Sequence, residues 1–168
     1  MIRILLIFCL IICQCFNVDA QFFDEFSDDD LTSNPIWEGD LQDFVVNDNG
    51  MLQLSSLEGG QSIIYTQTNL PDSIQWDFEV LMDFAPSANN RLKVYLAIDQ
   101  LNLEQASGYF FEIGENGASD ALHFYYQNEG TPELLASGEM GALGSEPAYV
   151  QVSVQRFSDG EWVVSTTY

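Results

Sequence analysis

Ile74-Gln75-Trp76-Asp77-Phe78-Glu79-Val80-Leu81-Met82-Asp83 alternates apolar and polar side chains over its whole length. Ile74, Trp76, Phe78, Val80 and Met82 share one side; Gln75, Asp77, Glu79, Leu81 and Asp83 share the other. Side chains of an extended backbone point alternately to opposite faces, so this is a strand with one face in a core and one in water. The segments that follow repeat the pattern. Leu92, Val94, Leu96 and Ile98 alternate with Arg91, Lys93, Tyr95, Ala97 and Asp99; Tyr109, Phe111 and Ile113 with Phe110 and Glu112; Leu122, Phe124 and Tyr126 with His123, Tyr125 and Gln127; Val150, Val152 and Val154 with Gln151, Ser153 and Gln155. No segment carries the apolar spacing of an amphipathic helix; residues 101–106 have room for one short turn. About ten short strands, each with one apolar face, predict an all-β domain in which two antiparallel sheets pack face to face.

The breaks between strands carry hairpin chemistry. Asn47-Asp48-Asn49-Gly50 separates two short apolar runs, and Ser158-Asp159-Gly160 separates 149–157 from 161–167. Asn, Asp and Gly tolerate the positive φ angles of the tightest turns. Asn128-Glu129-Gly130, Ala85-Pro86-Ser87 and Glu58-Gly59-Gly60 are further turn signals. An early strand is expected over 22–26. Residues 162–168 are strand-like up to the last one, so the sequence reads as the front piece of a longer protein with further domains.

Residues 1–20 read as a secretory signal peptide: Arg3 in a short basic region, Ile4 to Ile12 apolar, and Val18-Asp19-Ala20 before the cleavage point. Export to the cell exterior or surface is therefore expected, with a sandwich domain over 21–168. Processing before Cys13 or Cys15 would instead leave a lipid-anchored cysteine. Cys9, Cys13 and Cys15 are the three cysteines of the chain. Cleavage after Ala20 removes them all, so no disulfide or thiol nucleophile is expected in the mature protein.

Four Lys and Arg stand against 26 Asp and Glu, giving a net charge of −22. Such a surface repels phosphate backbones and anionic headgroups, which excludes nucleic acid and anionic membranes as natural partners. Hydrophobic content of 46% and aromatic content of 13% favour a packed domain over disorder.

Three stretches carry a resemblance. The first is Gln21-Phe22-Phe23-Asp24-Glu25-Phe26-Ser27-Asp28 with Asn34-Pro35-Ile36-Trp37-Glu38-Gly39-Asp40. The second is Trp76-Asp77-Phe78-Glu79-Val80 with Asp83-Phe84-Ala85-Pro86-Ser87 and Val94-Tyr95-Leu96. The third is Gly108-Tyr109-Phe110-Phe111-Glu112-Ile113-Gly114-Glu115 with Ser119-Asp120. Together they resemble the N-terminal region of secreted, Bacteroidetes-type surface proteins that carry a lamin-tail domain further along. The resemblance implies a concanavalin A-like, laminin-G-like sandwich of jelly-roll type. It also implies an exported, non-catalytic module and supplies no catalytic residues to carry over.

Glycoside hydrolysis is the enzymatic alternative for such a sandwich and needs two carboxylates across a sugar cleft. Asp77 and Glu79 share a face two residues apart, but the run to Asp83 does not match the Glu-x-Asp-x-(x)-Glu arrangement of sandwich glucanases. A third possibility is a structural spacer. His123 is the single histidine, and no Gly-x-Ser-x-Gly elbow accompanies it. Calcium takes six to eight oxygens. Asp24, Asp28, Asp29, Asp30 and Asp40 are the candidate ligands, with Asn47, Asp48 and Asn49 as a second group. The strongest constellation is the polar face of the middle strands, where Asp77, Glu79, Lys93, Tyr95, Phe110, Glu112, His123 and Tyr125 are expected to point outward. Aromatic rings beside carboxylates suit sugars: rings stack on C–H faces and carboxylates accept hydroxyl hydrogen bonds. The expected function is recognition of an extracellular glycan or surface protein, without chemistry.

Overall fold

The computed structural model describes residues 22–117 and 119–168. The expected leader and its cysteines lie outside the described residues. The chain groups into two compact units, one ending at Asn69 and one over Leu70–Tyr168.

In the first unit, β1 (Glu38–Gly39) pairs antiparallel with β4 (Ile64–Tyr65), and β2 (Phe44–Val46) with β3 (Leu52–Leu54). A single 3-10 turn, Leu41–Asp43, leads into β2. The β2–β3 connection is the expected Asn-rich turn. The Asn47 side-chain oxygen accepts the N–H groups of Asn49 and Met51 at 2.9 and 3.1 Å, and Gly50 takes a φ of 70°. The strand expected over 22–26 does not form. The Asp24 carboxylate accepts the Phe26 N–H at 2.7 Å and Phe26 has a φ of 55°, which folds the backbone out of the extended state. The aromatic residues there pack locally instead: Phe22 and Phe26 each lie 5.9 Å from the Trp37 ring.

The second unit holds β5 (Ile74–Met82), β6 (Leu92–Ile98), β7 (Gly108–Ile113), β8 (His123–Asn128), β9 (Thr131–Ser137), β10 (Ala148–Arg156) and β11 (Trp162–Thr167). They form a three-stranded sheet in the order β11-β10-β5 and a four-stranded sheet in the order β6-β7-β8-β9, with every pair antiparallel. The all-β class and the face-to-face packing are as the alternation predicts. Val80 and Met82 of β5 and Val150, Val152 and Val154 of β10 share one buried cluster with Leu96, Phe111, Ile113 and Phe124 of the other sheet. Trp76 and Phe78 line the same cluster half-buried. Rings bridge the sheets: Phe78 meets Phe111 at 5.8 Å and Trp162 meets Tyr109 at 4.5 Å. Each fully buried aromatic or branched side chain contributes roughly 1.5–3 kcal/mol, and each well-placed ring pair about 0.5–1.5 kcal/mol more.

Two connections shape the working face. At the β8–β9 turn Glu129 and Gly130 take consecutive φ angles of 46° and 80°, the primed geometry that matches strand twist. The 99–107 loop between β6 and β7 folds back on itself, its Asp99 carboxylate accepting the Ser107 N–H at 2.8 Å. Among the described residues no helix is long and apolar enough to cross a membrane.

Candidate functional site

Strand pairing divides the outward-facing set that alternation groups together. Asp77 and Glu79 lie on β5, which pairs with β10, and face out from the three-stranded sheet. Gln75 donates to Asp77 at 2.8 Å, and Gln151 donates to Glu79 at 2.7 Å. Asp77, Glu79 and Gln151, with Ser153, Ser165 and Thr167, line a shallow depression of about 410 Å³. The remaining six residues lie on the other sheet. Alternation reports which side of its own strand a residue takes; it does not report which sheet the strand joins.

On the four-stranded sheet the six form two rows that cross the strands. Tyr95, Phe110, Tyr125 and Leu134 are successive register partners along β6, β7, β8 and β9, and Lys93, Glu112, His123 and Ser137 are the next such row. In the first row the ring centroids stand 4.9 Å apart from Tyr95 to Phe110 and 5.1 Å from Phe110 to Tyr125. Phe110 is 0% exposed, with the Lys93 ammonium 4.5 Å over its ring. A ring so enclosed supports its neighbours and is not open to a ligand. Tyr95 and Tyr125 remain partly exposed. Burial, then the Glu112 charge, raises the Tyr95 hydroxyl above its usual range. Burial, then Glu112 and Glu115, does the same at Tyr125. Both phenols therefore stay protonated and able to donate.

In the second row Glu112 accepts from Arg91 at 3.1 Å and pairs with Lys93 at 3.4 Å. Its two oxygens are thus each engaged by a cation. His123 is held at both ring nitrogens: Nδ1 lies 2.9 Å from the Ser137 hydroxyl and Nε2 3.3 Å from a Glu115 carboxylate oxygen. An ionised carboxylate only accepts, so the ring donates from Nε2 to Glu115, and the Ser137 hydroxyl, which both donates and accepts, can serve Nδ1 in either role. The order hydroxyl–imidazole–carboxylate resembles an acyl-transfer relay, with the two ring nitrogens exchanged relative to the usual one. Behind it Asp120, 1% exposed, accepts the Glu115 N–H at 2.8 Å and fixes the loop. Arg91, Glu115, Asp120, Leu134 and Ser137 belong to this face and were not singled out from the sequence. Register brings Leu134 and Ser137 there, whereas Arg91, Glu115 and Asp120 lie beyond the strand ends and join it through the Arg91–Glu112, Glu115–His123 and Asp120–Glu115 contacts.

One end of the face is covered. Gln127, 4% exposed, donates from its amide to the carbonyls of Leu103 and Ala106 at 2.7 and 3.0 Å. The 99–107 loop is therefore strapped over the sheet beside Tyr125.

The expected calcium ligands are not brought together. Asp24 accepts the Trp37 indole N–H at 2.7 Å, Asp28 the Asp30 N–H at 3.2 Å, and Asp40 the Ile63 N–H at 2.9 Å. Asp30 takes the N–H and hydroxyl of Thr32, each at 2.7 Å, and the Ser33 hydroxyl. Each carboxylate caps nearby backbone or side-chain donors. Among the described residues no three His, Cys, Asp or Glu side chains gather closely enough to hold a metal.

The Asp30 arrangement has a measurable consequence. The Ser33 hydroxyl, then the Thr32 hydroxyl and N–H, hold the Asp30 carboxyl down at about 2, against an ordinary value of about 3.9. A lowered folded value means stabilisation that is complete above the ordinary value and is lost as pH falls towards 2. In an NMR carboxyl titration Asp30 is expected to have the low midpoint, and Ser33→Ala to move it upward. An ordinary midpoint that ignores Ser33→Ala would contradict the hydrogen-bond set.

No family model, curated protein or solved structure matches this chain.

Proposed function

We propose that this protein is an exported recognition module that binds carbohydrate on the four-stranded sheet and does not cleave it. The observation that carries this reading is the pair of parallel rows: half-buried Tyr95 and Tyr125 supported by Phe110, beside a satisfied polar row of Lys93, Glu112, His123 and Ser137. Rings offer apolar faces to sugar C–H groups, and the polar row offers donors and acceptors to hydroxyls. Both oxygens of Glu112 are engaged by cations, which leaves it poorly placed to protonate a glycosidic oxygen. Asp77 and Glu79 lie on the other sheet, so they cannot partner it across one sugar. The leader-like residues 1–20 and the resemblance to lamin-tail surface proteins support export and a place in a larger extracellular assembly. The alternatives are an active glycoside hydrolase and a spacer that binds nothing.

Screening the purified chain against an array of polysaccharides is expected to give at least one retained glycan with no release of reducing ends. Tyr125→Ala should weaken that binding about tenfold, since a lost ring contact of about 1–1.5 kcal/mol corresponds to that factor. An empty array favours the spacer, as does binding indifferent to Tyr125→Ala. Released sugar ends would make the protein an enzyme.

A further inference from the structure

We propose, resting on the carbohydrate reading above, that the ligand is an internal stretch of a neutral linear glycan, at least two sugar rings long. It lies across the strands rather than along them. Tyr95 and Tyr125 are the two accessible rings of their row, and the buried Phe110 between them holds them two strand spacings apart, roughly 9.6 Å. That gap is wider than one sugar ring. A single residue stacks on one tyrosine only; consecutive residues of a chain can use both.

Direction follows from the rows. The polar row lies two residues further along β6, β7 and β8, roughly 6.7 Å away, and three residues further along β9, where the bulge adds one. A ligand parallel to the rows keeps both within reach over its whole length, whereas one parallel to the strands crosses each row once. Both rows run to β9 at the sheet edge, where Leu134 is 51% exposed and Ser137 is exposed. A chain can therefore continue past the site.

Neutrality follows from charge. Arg91 and Lys93 are compensated on the spot by Glu112, with Glu115 beside His123, and the whole chain carries −22. A polyanionic glycan meets no surplus of positive charge here and a repulsive field everywhere else.

Calorimetry of the purified chain with cello-, xylo-, manno-, laminari- and malto-oligosaccharides of one to six residues tests this, with oligogalacturonates as the anionic probe. The expected result is an affinity in one neutral series that rises at least tenfold from monosaccharide to trisaccharide. Tyr95→Ala and Tyr125→Ala should each abolish that rise, and Tyr95→Phe should keep it, which separates lost stacking from a damaged fold. Affinity independent of length, or a rise that survives both alanine variants, overturns the inference and leaves carbohydrate recognition standing. Preferential binding of oligogalacturonates overturns neutrality. Failure of every series to bind overturns both this inference and the recognition reading.

Discussion

Phe111→Ala is expected to destabilise the protein by about 3–5 kcal/mol, the range for emptying a large aromatic site in a well-packed core. Phe111 is 2% exposed. It stacks on Phe124 within its sheet at 4.6 Å and meets Phe78 across the sandwich at 5.8 Å. Truncation removes both ring contacts and leaves a void whose walls come from two sheets. Strands hydrogen-bonded to their neighbours cannot collapse into it without breaking ladders. Trp76→Ala and Phe78→Ala should cost less, because both side chains are only half-buried at the margin of the cluster. Urea melts followed by tryptophan fluorescence provide the measurement for Phe111 and Phe78, and circular dichroism for Trp76. A Phe111→Ala midpoint close to wild type, or one less affected than Phe78→Ala, would mean the inner face of β7 is assigned backwards.

That ranking also marks where the sequence stops being informative. The inner faces of β5, β7, β8 and β10 are legible residue by residue because period-two alternation is a local property of an extended chain. Turn chemistry is equally local: the loops at 47–50, 128–130 and 158–160 all close hairpins, with Gly50, Gly130 and Gly160 at positive φ. Pairing is not local. β5 joins β10, so that Glu79 faces Gln151 in register, and nothing in the alternation of either strand names its partner. Alternation alone therefore groups Asp77 and Glu79 with Lys93 and Tyr95. β9 is illegible in the sequence for another reason. Its register slips at the bulge opposite Phe124 and Tyr125, which breaks the alternation of Glu133-Leu134-Leu135-Ala136, and it is exposed along its whole length. Pro132 also argues against a central strand, and β9 is indeed at an edge. Phe110 illustrates the opposite error. Its outward position is legible, but its complete burial depends on cross-strand neighbours from β6 and β8.

Gly130→Ala is the second substitution with a large expected effect, roughly 2–5 kcal/mol. Two costs combine. Gly130 has a φ of +80°, a region that disfavours a side chain by roughly 1–2 kcal/mol. A Cβ added there would also overlap the Glu104 carbonyl oxygen. That neighbour is main chain and cannot rotate aside, so the overlap adds an overpacking cost of about 1–3 kcal/mol. The contact is the seat of the 99–107 loop: the Gly130 N–H donates to the Ala106 carbonyl at 2.9 Å, and Gln127 ties down the same segment. Gly160 supplies the internal comparison. Its φ is +90° with open space around the missing Cβ, so Gly160→Ala incurs only the backbone term. Gly130→Asn tests the other half, since asparagine tolerates positive φ but still meets Glu104. The expected order of destabilisation is Gly130→Ala and Gly130→Asn both well above Gly160→Ala. Hydrogen exchange should speed up at the amides of 99–107 in the two Gly130 variants alone. Equal melting of Gly130→Ala and Gly160→Ala, with unchanged exchange in the loop, would show that the strap over Gln127 does not depend on close approach at Gly130.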